Sequence, residues 1–142
     1  RCQGNKEMQE RMVCVADACN THHNFGALVS IVLGLGTVDL KSCSTTTIEC
    51  FEKLQELTSF EHNWARLRQA MATSPLPAVP HLAPFLGDLF MADQANTDMV
   101  SSTDNPLIKL VNVGKMRIIA NIVHAIQRFQ TTDYPVPQHK QH

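Results

Sequence analysis

Between Ser74 and Pro84 the chain carries Pro75, Pro77, Pro80 and Pro84, and no regular helix can run through such a segment. Each pyrrolidine ring fixes φ, removes a backbone donor and pushes the preceding residue out of the helical region. The stretch reads as a stiff link, so whatever folds on either side of it folds as separate elements.

Both sides carry helical spacing. Upstream, Met8, Met12, Val13, Val15, Ala16 and Cys19 recur at intervals of three and four, which predicts a helix over Met8–Thr21 with these residues on one stripe. Asn24 is placed to cap a short, mostly buried helix over Phe25–Leu35, because its side chain can accept a bond from an orphan backbone N–H. Gly34 and Gly36 bracket the end of that helix, where a left-handed cap is expected. Thr37–Thr47 is a polar connection whose Ser44, Thr45, Thr46 and Thr47 offer N-caps for a helix with Ile48, Phe51, Leu54 and Leu57 on one face. Glu52 and Glu56 fall outward. A further helix over Glu61–Ala72 is expected to bury Trp64, Leu67 and Met71.

Downstream of the prolines, Phe85–Ala92 is helical and apolar, with Phe85, Leu86, Leu89, Phe90 and Met91 in close succession. Periodicity alone makes that cluster core. Asp93–Pro106 reads as loop. Val113–Phe129 is the strongest helix, with Met116, Ile119, Ile122, Val123, Ile126 and Phe129 on a broad apolar face while Lys115, Arg117 and Arg128 point elsewhere. Periodicity is lost after Thr131, and residues 135–142 are expected to be a flexible tail. Sustained alternation is absent, so the expected fold class is all-α, an irregular helical bundle.

Bulk properties narrow the function classes. With 142 residues, 44% of them hydrophobic, the chain is long enough to bury a core. A net charge of −1 from 12 basic and 13 acidic residues supplies no basic footprint for nucleic acid. No apolar run approaches the roughly 20 residues that span a bilayer, and residues 1–10 have no apolar signal region. Five cysteines, an odd and sparse set, suit free thiols in the cytoplasm. The opening Arg1 suggests a fragment.

The phosphate-binding, dinucleotide-binding, zinc-protease and serine-hydrolase signatures are all missing, which argues against covalent catalysis. Cys14, Cys19, His22 and His23 cluster without the paired spacing of structural zinc sites and read as packed thiols and surface histidines, so neither metal nor cofactor is expected. Asp88 and Asp93, five residues apart on a helix, diverge by about 140° and read as solvated carboxylates.

Four ordered stretches resemble the catalytic domain of Ras-type guanine-nucleotide exchange factors. The first ends in Asn24-Phe25 and runs into the apolar helix. The second joins Phe51–Leu57 to Asn63-Trp64 and Arg68, similar to the family's Asn-aromatic-x-x-x-Arg helix. The third is Pro77-Ala78-Val79-Pro80-His81-Leu82, similar to its Pro-x-Ile/Val-Pro-aromatic-aromatic segment, leading to Leu86-Gly87-Asp88-Leu89. The fourth is Val111-Asn112 through Lys115 and Arg117 to Ile126, Phe129, Gln130 and Tyr134.

The resemblance implies an exchange module for a Ras-subfamily small GTPase, with residues 1–134 the C-terminal part of the domain. Roughly another hundred residues would precede it in the family. It further implies a protruding helical hairpin, with its outward helix over Phe85–Gln94 and its return over Val113–Phe129, that displaces the GTPase's first switch. Phe90 aligns with the apolar wedge residue that crowds the magnesium site, and Gln94 with a position usually held by glutamate. Asn24, Trp64 and His81 align with positions that grip the second switch; Asn96 and Arg68 also match, the latter in a structural role. Magnesium would belong to the GTPase, and any recruitment to a membrane's inner face would come through other domains.

The departures are specific. Gln94 keeps hydrogen bonding but lacks the usual charge, for which neighbouring Asp93 offers a partial substitute. His81 is a weaker apolar anchor than a hydrocarbon ring, and Asp39-Leu40 stands where the family has Arg-Leu. These changes motivate an alternative, a GTPase-binding module that drives little or no exchange.

Overall fold

A computed structural model describes residues 2–134; the tail expected over 135–142 lies outside the described residues. The chain forms two compact units, one from the segment up to His81 together with that from Thr132, the other from Leu82–Thr131.

The first unit contains α1 (Cys2–Thr21), α2 (Phe25–Leu35), α3 (Thr45–Leu57) and α4 (Glu61–Thr73). Helix α2 begins where Asn24 Oδ1 accepts from Ala27 N–H at 3.1 Å, and it sinks Phe25, Leu28, Val29, Val32 and Leu35 into the core. Each such side chain contributes about 1.5–3 kcal/mol relative to exposure, so α2 is the centre of this unit. Helices α1 and α3 pack on it, and α4 packs on α3. Ser44 is the cap that α3 uses, accepting from Thr47 N–H; Phe51 and Leu54 are buried beneath it.

Several local expectations are corrected. The α2 terminus at Gly36 is right-handed (φ −63°, ψ −14°), with the Gly36 N–H donating to Val32 C=O. The left-handed cap is therefore not formed. The stripe of α1 is narrower than its spacing suggested: Val13 and Ala16 are buried, whereas Met8 and Val15 are exposed. Gln9 takes the next core position, donating to Asp39 C=O and accepting from the buried Cys43 thiol. Glu10 accepts from Ser44 N–H at 2.8 Å, so α1 also anchors the connection ahead of α3.

The proline link is irregular, with a cis peptide at Leu76–Pro77. It is not a free linker. Phe25 N–H donates to Val79 C=O and Val79 N–H to His23 C=O, both at 2.9 Å, forming a short parallel bridge at Asn24.

The second unit consists of α5 (Ala83–Ala95), β1 (Met99–Ser101), β2 (Lys109–Val111), α6 (Val113–Gln127) and a 3₁₀ turn over Arg128–Gln130. Pro84 sits in the first turn of α5, where its missing donor is not needed. The strands pair antiparallel with Met99 opposite Val111, Val100 opposite Leu110 and Ser101 opposite Lys109. The expected loop over Asp93–Pro106 therefore contains β1, and β2 lies beyond it; three-residue strands are too short to show alternation in the sequence. Asn112 caps α6 by accepting from Lys115 N–H at 3.1 Å.

The broad apolar face of α6 is not buried as expected. Met116 and Val123 are exposed, and Ile119, Ile122, Ile126 and Phe129 are half-buried. The buried residue of α6 is Lys115, which had been expected to point outward. Among the described residues no helix is long and apolar enough to cross a membrane. Apart from the small strand pair, the architecture is all-α.

Candidate functional site

In the first unit, an aromatic patch forms where α4 meets the end of the proline link. Trp64 and His81 have ring centroids 5.1 Å apart, and Phe60 stacks edge-on against Trp64 at 4.2 Å. The backbone explains why Trp64 lies at the surface. His62, Asn63 and Trp64 all have positive φ, between 48° and 62°, a region that L residues enter at a cost. The regular part of α4 starts only after them, so Trp64 stays half-buried while Leu67 and Met71 fill the core.

Arg68 stabilises this unusual turn. Its Nε donates to Asn63 C=O at 2.8 Å and its guanidinium reaches Asn63 Oδ1 at 3.3 Å. The structural role expected for Arg68 is thereby located. His81 N–H donates to Met71 Sδ at 3.4 Å, fixing the other half of the patch, and partial burial holds the imidazole below its ordinary pKa. At neutral pH it is an uncharged ring suited to apolar contact.

Phe60 escaped the sequence reading, although it is 62% exposed. It also lines a shallow groove of about 410 Å³ with Val32, Leu33, Gly36, Gln55 and Thr58. A phenylalanine just outside a helical stripe was the available signal. Asn24 lies on the bridge to Val79, two residues before His81, with its Oδ1 engaged as the α2 cap.

In the second unit, Phe90 and Gln94 stand one turn apart on α5, on the same helical face. Phe90 is 63% exposed, and Leu86 and Met91 are similarly open. The reading of this cluster as core fails for these three; Phe85 and Leu89 are half-buried. Asn96 closes the helix by donating from Nδ2 to Ala92 C=O at 3.0 Å. Gln94 Nε2 donates to Asp93 Oδ2 at 3.3 Å.

Lys115 binds the last turn of α5 to the first turn of α6. Its ammonium donates to Asp93 Oδ1 at 2.7 Å, to Asp98 Oδ1 at 2.6 Å and to Asp93 C=O at 3.3 Å. Hydrogen bonds to Asp93 first and Asp98 second raise the lysine pKa. The same bond from Lys115 lowers that of Asp93. Asp93 is thus not an unattached replacement for a glutamate at position 94, since its charge is matched by Lys115.

The RasGEF domain profile matches residues 2–117. The chain belongs to this family. It is 29% identical over 135 residues to Ras guanine nucleotide exchange factor M of Dictyostelium discoideum, covering 90% of this chain and 14% of that protein. It is 31% identical over 139 residues to Ras-specific guanine nucleotide-releasing factor 1 of Rattus norvegicus, covering 92% and 11%. The mouse Ras-specific guanine nucleotide-releasing factor 2 is 30% identical over 136 residues, covering 91% and 11%. The chain therefore spans about a tenth to a seventh of the length of these relatives.

The cysteine and histidine group of this RasGEF chain lies in the first unit. Cys14 and His22 are exposed, Cys19 and His23 half-buried, and His23 stacks on Phe25. Among the described residues no three His, Cys, Asp or Glu side chains converge to hold a metal. Tyr134 has a buried hydroxyl beside Thr21, His22 and Pro77, and burial raises its pKa.

Proposed function

We propose that this RasGEF chain is the C-terminal part of an exchange module, residues 1–134, that promotes GDP release from a Ras-subfamily small GTPase. The observation that carries the reading is an apolar side chain, Phe90, standing 63% exposed on α5 one turn from Gln94. A side chain so placed gains little for the fold and much for a partner that covers it. The helical pair α5–α6 displaces the first switch, with Phe90 crowding the magnesium site and Gln94 and Asn96 supplying polar contacts. Trp64, His81 and Asn24 hold the second switch. The relatives named as Ras exchange or releasing factors support the partner class.

The mechanism is competition without a covalent step. Nucleotide and exchange factor favour different conformations of the GTPase. Binding energy from the patch and wedge shifts the population toward the nucleotide-poor conformation, and dissociation quickens.

A second reading is favoured by one observation, the neutral Gln94 beside an Asp93 already paired with Lys115. On this reading the module binds a GTPase and leaves its nucleotide in place. Release of labelled GDP from a panel of Ras, Rap and Ral proteins by the full-length protein separates the two. Accelerated release from at least one supports exchange; tight binding with unchanged release supports the second reading.

A further inference from the structure

Among the described residues, Lys115 is the one charged side chain that is buried, with 4% of its side chain exposed. A lysine ammonium has three protons and no acceptor. Here all three can be directed at oxygens, namely Asp93 Oδ1, Asp98 Oδ1 and the Asp93 carbonyl. Asp93 is consequently held at its backbone and at one carboxylate oxygen, which fixes the direction of the other. That second oxygen, Oδ2, is the one that accepts from Gln94 Nε2.

An amide side chain has two chemically opposite ends, and its orientation follows from the hydrogen bonds around it. A fixed carboxylate oxygen beside Gln94 selects the NH₂ end and leaves Oε1 as the end available to a partner. We propose that Lys115 is a positioning residue for nucleotide exchange, acting through Asp93 to present Gln94 with its carbonyl oxygen outward. This inference rests on the exchange reading above. It gives a physical account of how a neutral glutamine can serve where the resemblance places a glutamate: the oriented amide offers an acceptor oxygen that a freely turning amide offers only part of the time.

The test uses the full-length protein and the GTPase that responds to it, with maximal GDP-release rate and KM for the GTPase measured separately. Lys115→Met is expected to lower the maximal rate about twofold, because a freely turning amide presents its oxygen about half the time, with KM unchanged. In a Gln94→Ala background the same substitution is expected to have no further effect, because nothing remains to be oriented. Asp93→Asn is the second variant, used where circular dichroism shows that Lys115→Met does not fold. Its amide presents N–H where Gln94 requires an acceptor, so it should turn Gln94 over and lose rate, again only when Gln94 is present.

An equal loss in both backgrounds, or no loss in the parent, overturns the inference while leaving the exchange reading intact. A parent protein that accelerates release from no GTPase overturns the exchange reading, and the inference with it.

Discussion

Replacing Asn24 with alanine separates two roles that meet in one side chain. Its Oδ1 accepts from Ala27 N–H at 3.1 Å, and the helix it caps supplies five buried residues to the first unit. Alanine leaves that donor orphaned, which costs about 1 kcal/mol for an N-cap. For a chain of 142 residues this corresponds to a fall in Tm of about 4 °C, read by the helical circular dichroism signal. Serine can cap as well as asparagine but carries no amide. Asn24→Ser should therefore restore Tm to within about 1 °C of the parent. If the amide also touches a GTPase, GDP release will remain depressed in Asn24→Ser despite its recovered stability. The reasoning is refuted if Asn24→Ala melts with the parent protein, or if serine is as destabilising as alanine.

Other consequences follow from burial and charge. Leu67 is fully buried, so Leu67→Ala should cost about 3–5 kcal/mol by urea unfolding. His81 titrates below its ordinary pKa because burial disfavours its charged form. The unfolded chain thus takes up a proton first, and stability should decline as pH falls below about 6.5; His81→Phe should remove that component of the pH profile. Asp93 has a lowered pKa and Lys115 a raised one. Their contribution should be full between about pH 4 and pH 10.5, fading on acidification through the lowered aspartate pKa and on alkalinisation through the raised lysine pKa. Parallel denaturant midpoints for the parent and Lys115→Met will show whether the difference between them closes at both extremes.

Local chemistry was legible and tertiary chemistry was not. The bounds of α2 and its Asn24 cap could be read because capping involves neighbours three residues apart. The cap of α3 at Ser44 belongs to the same class. By contrast, the burial of Lys115 depends on Asp98 and Asp93, 17 and 22 residues earlier in the chain, and no periodicity contains that pairing. The left-handed turn at His62–Trp64 escaped for a similar reason: helical spacing was right for Leu67 and Met71, but Arg68 bonds back to Asn63 and Trp64 is left half-buried. Of the candidate site residues, Trp64 and His81 are brought into ring contact, while Phe60 joins them unannounced. The exposure of Phe90 followed from the resemblance and ran against the periodicity.

The most direct measurement of the central claim compares GDP release by the full-length protein with that by its Phe90→Ala variant. With 63% of Phe90 open to solvent, and a phenylalanine side chain offering about 200 Å², a partner that covers it removes about 125 Å² from water. At about 25 cal/mol per Å² that is worth about 3 kcal/mol. The account predicts a loss of release rate of about a hundredfold, with a Tm close to that of the parent. Equal release by the two proteins would contradict it.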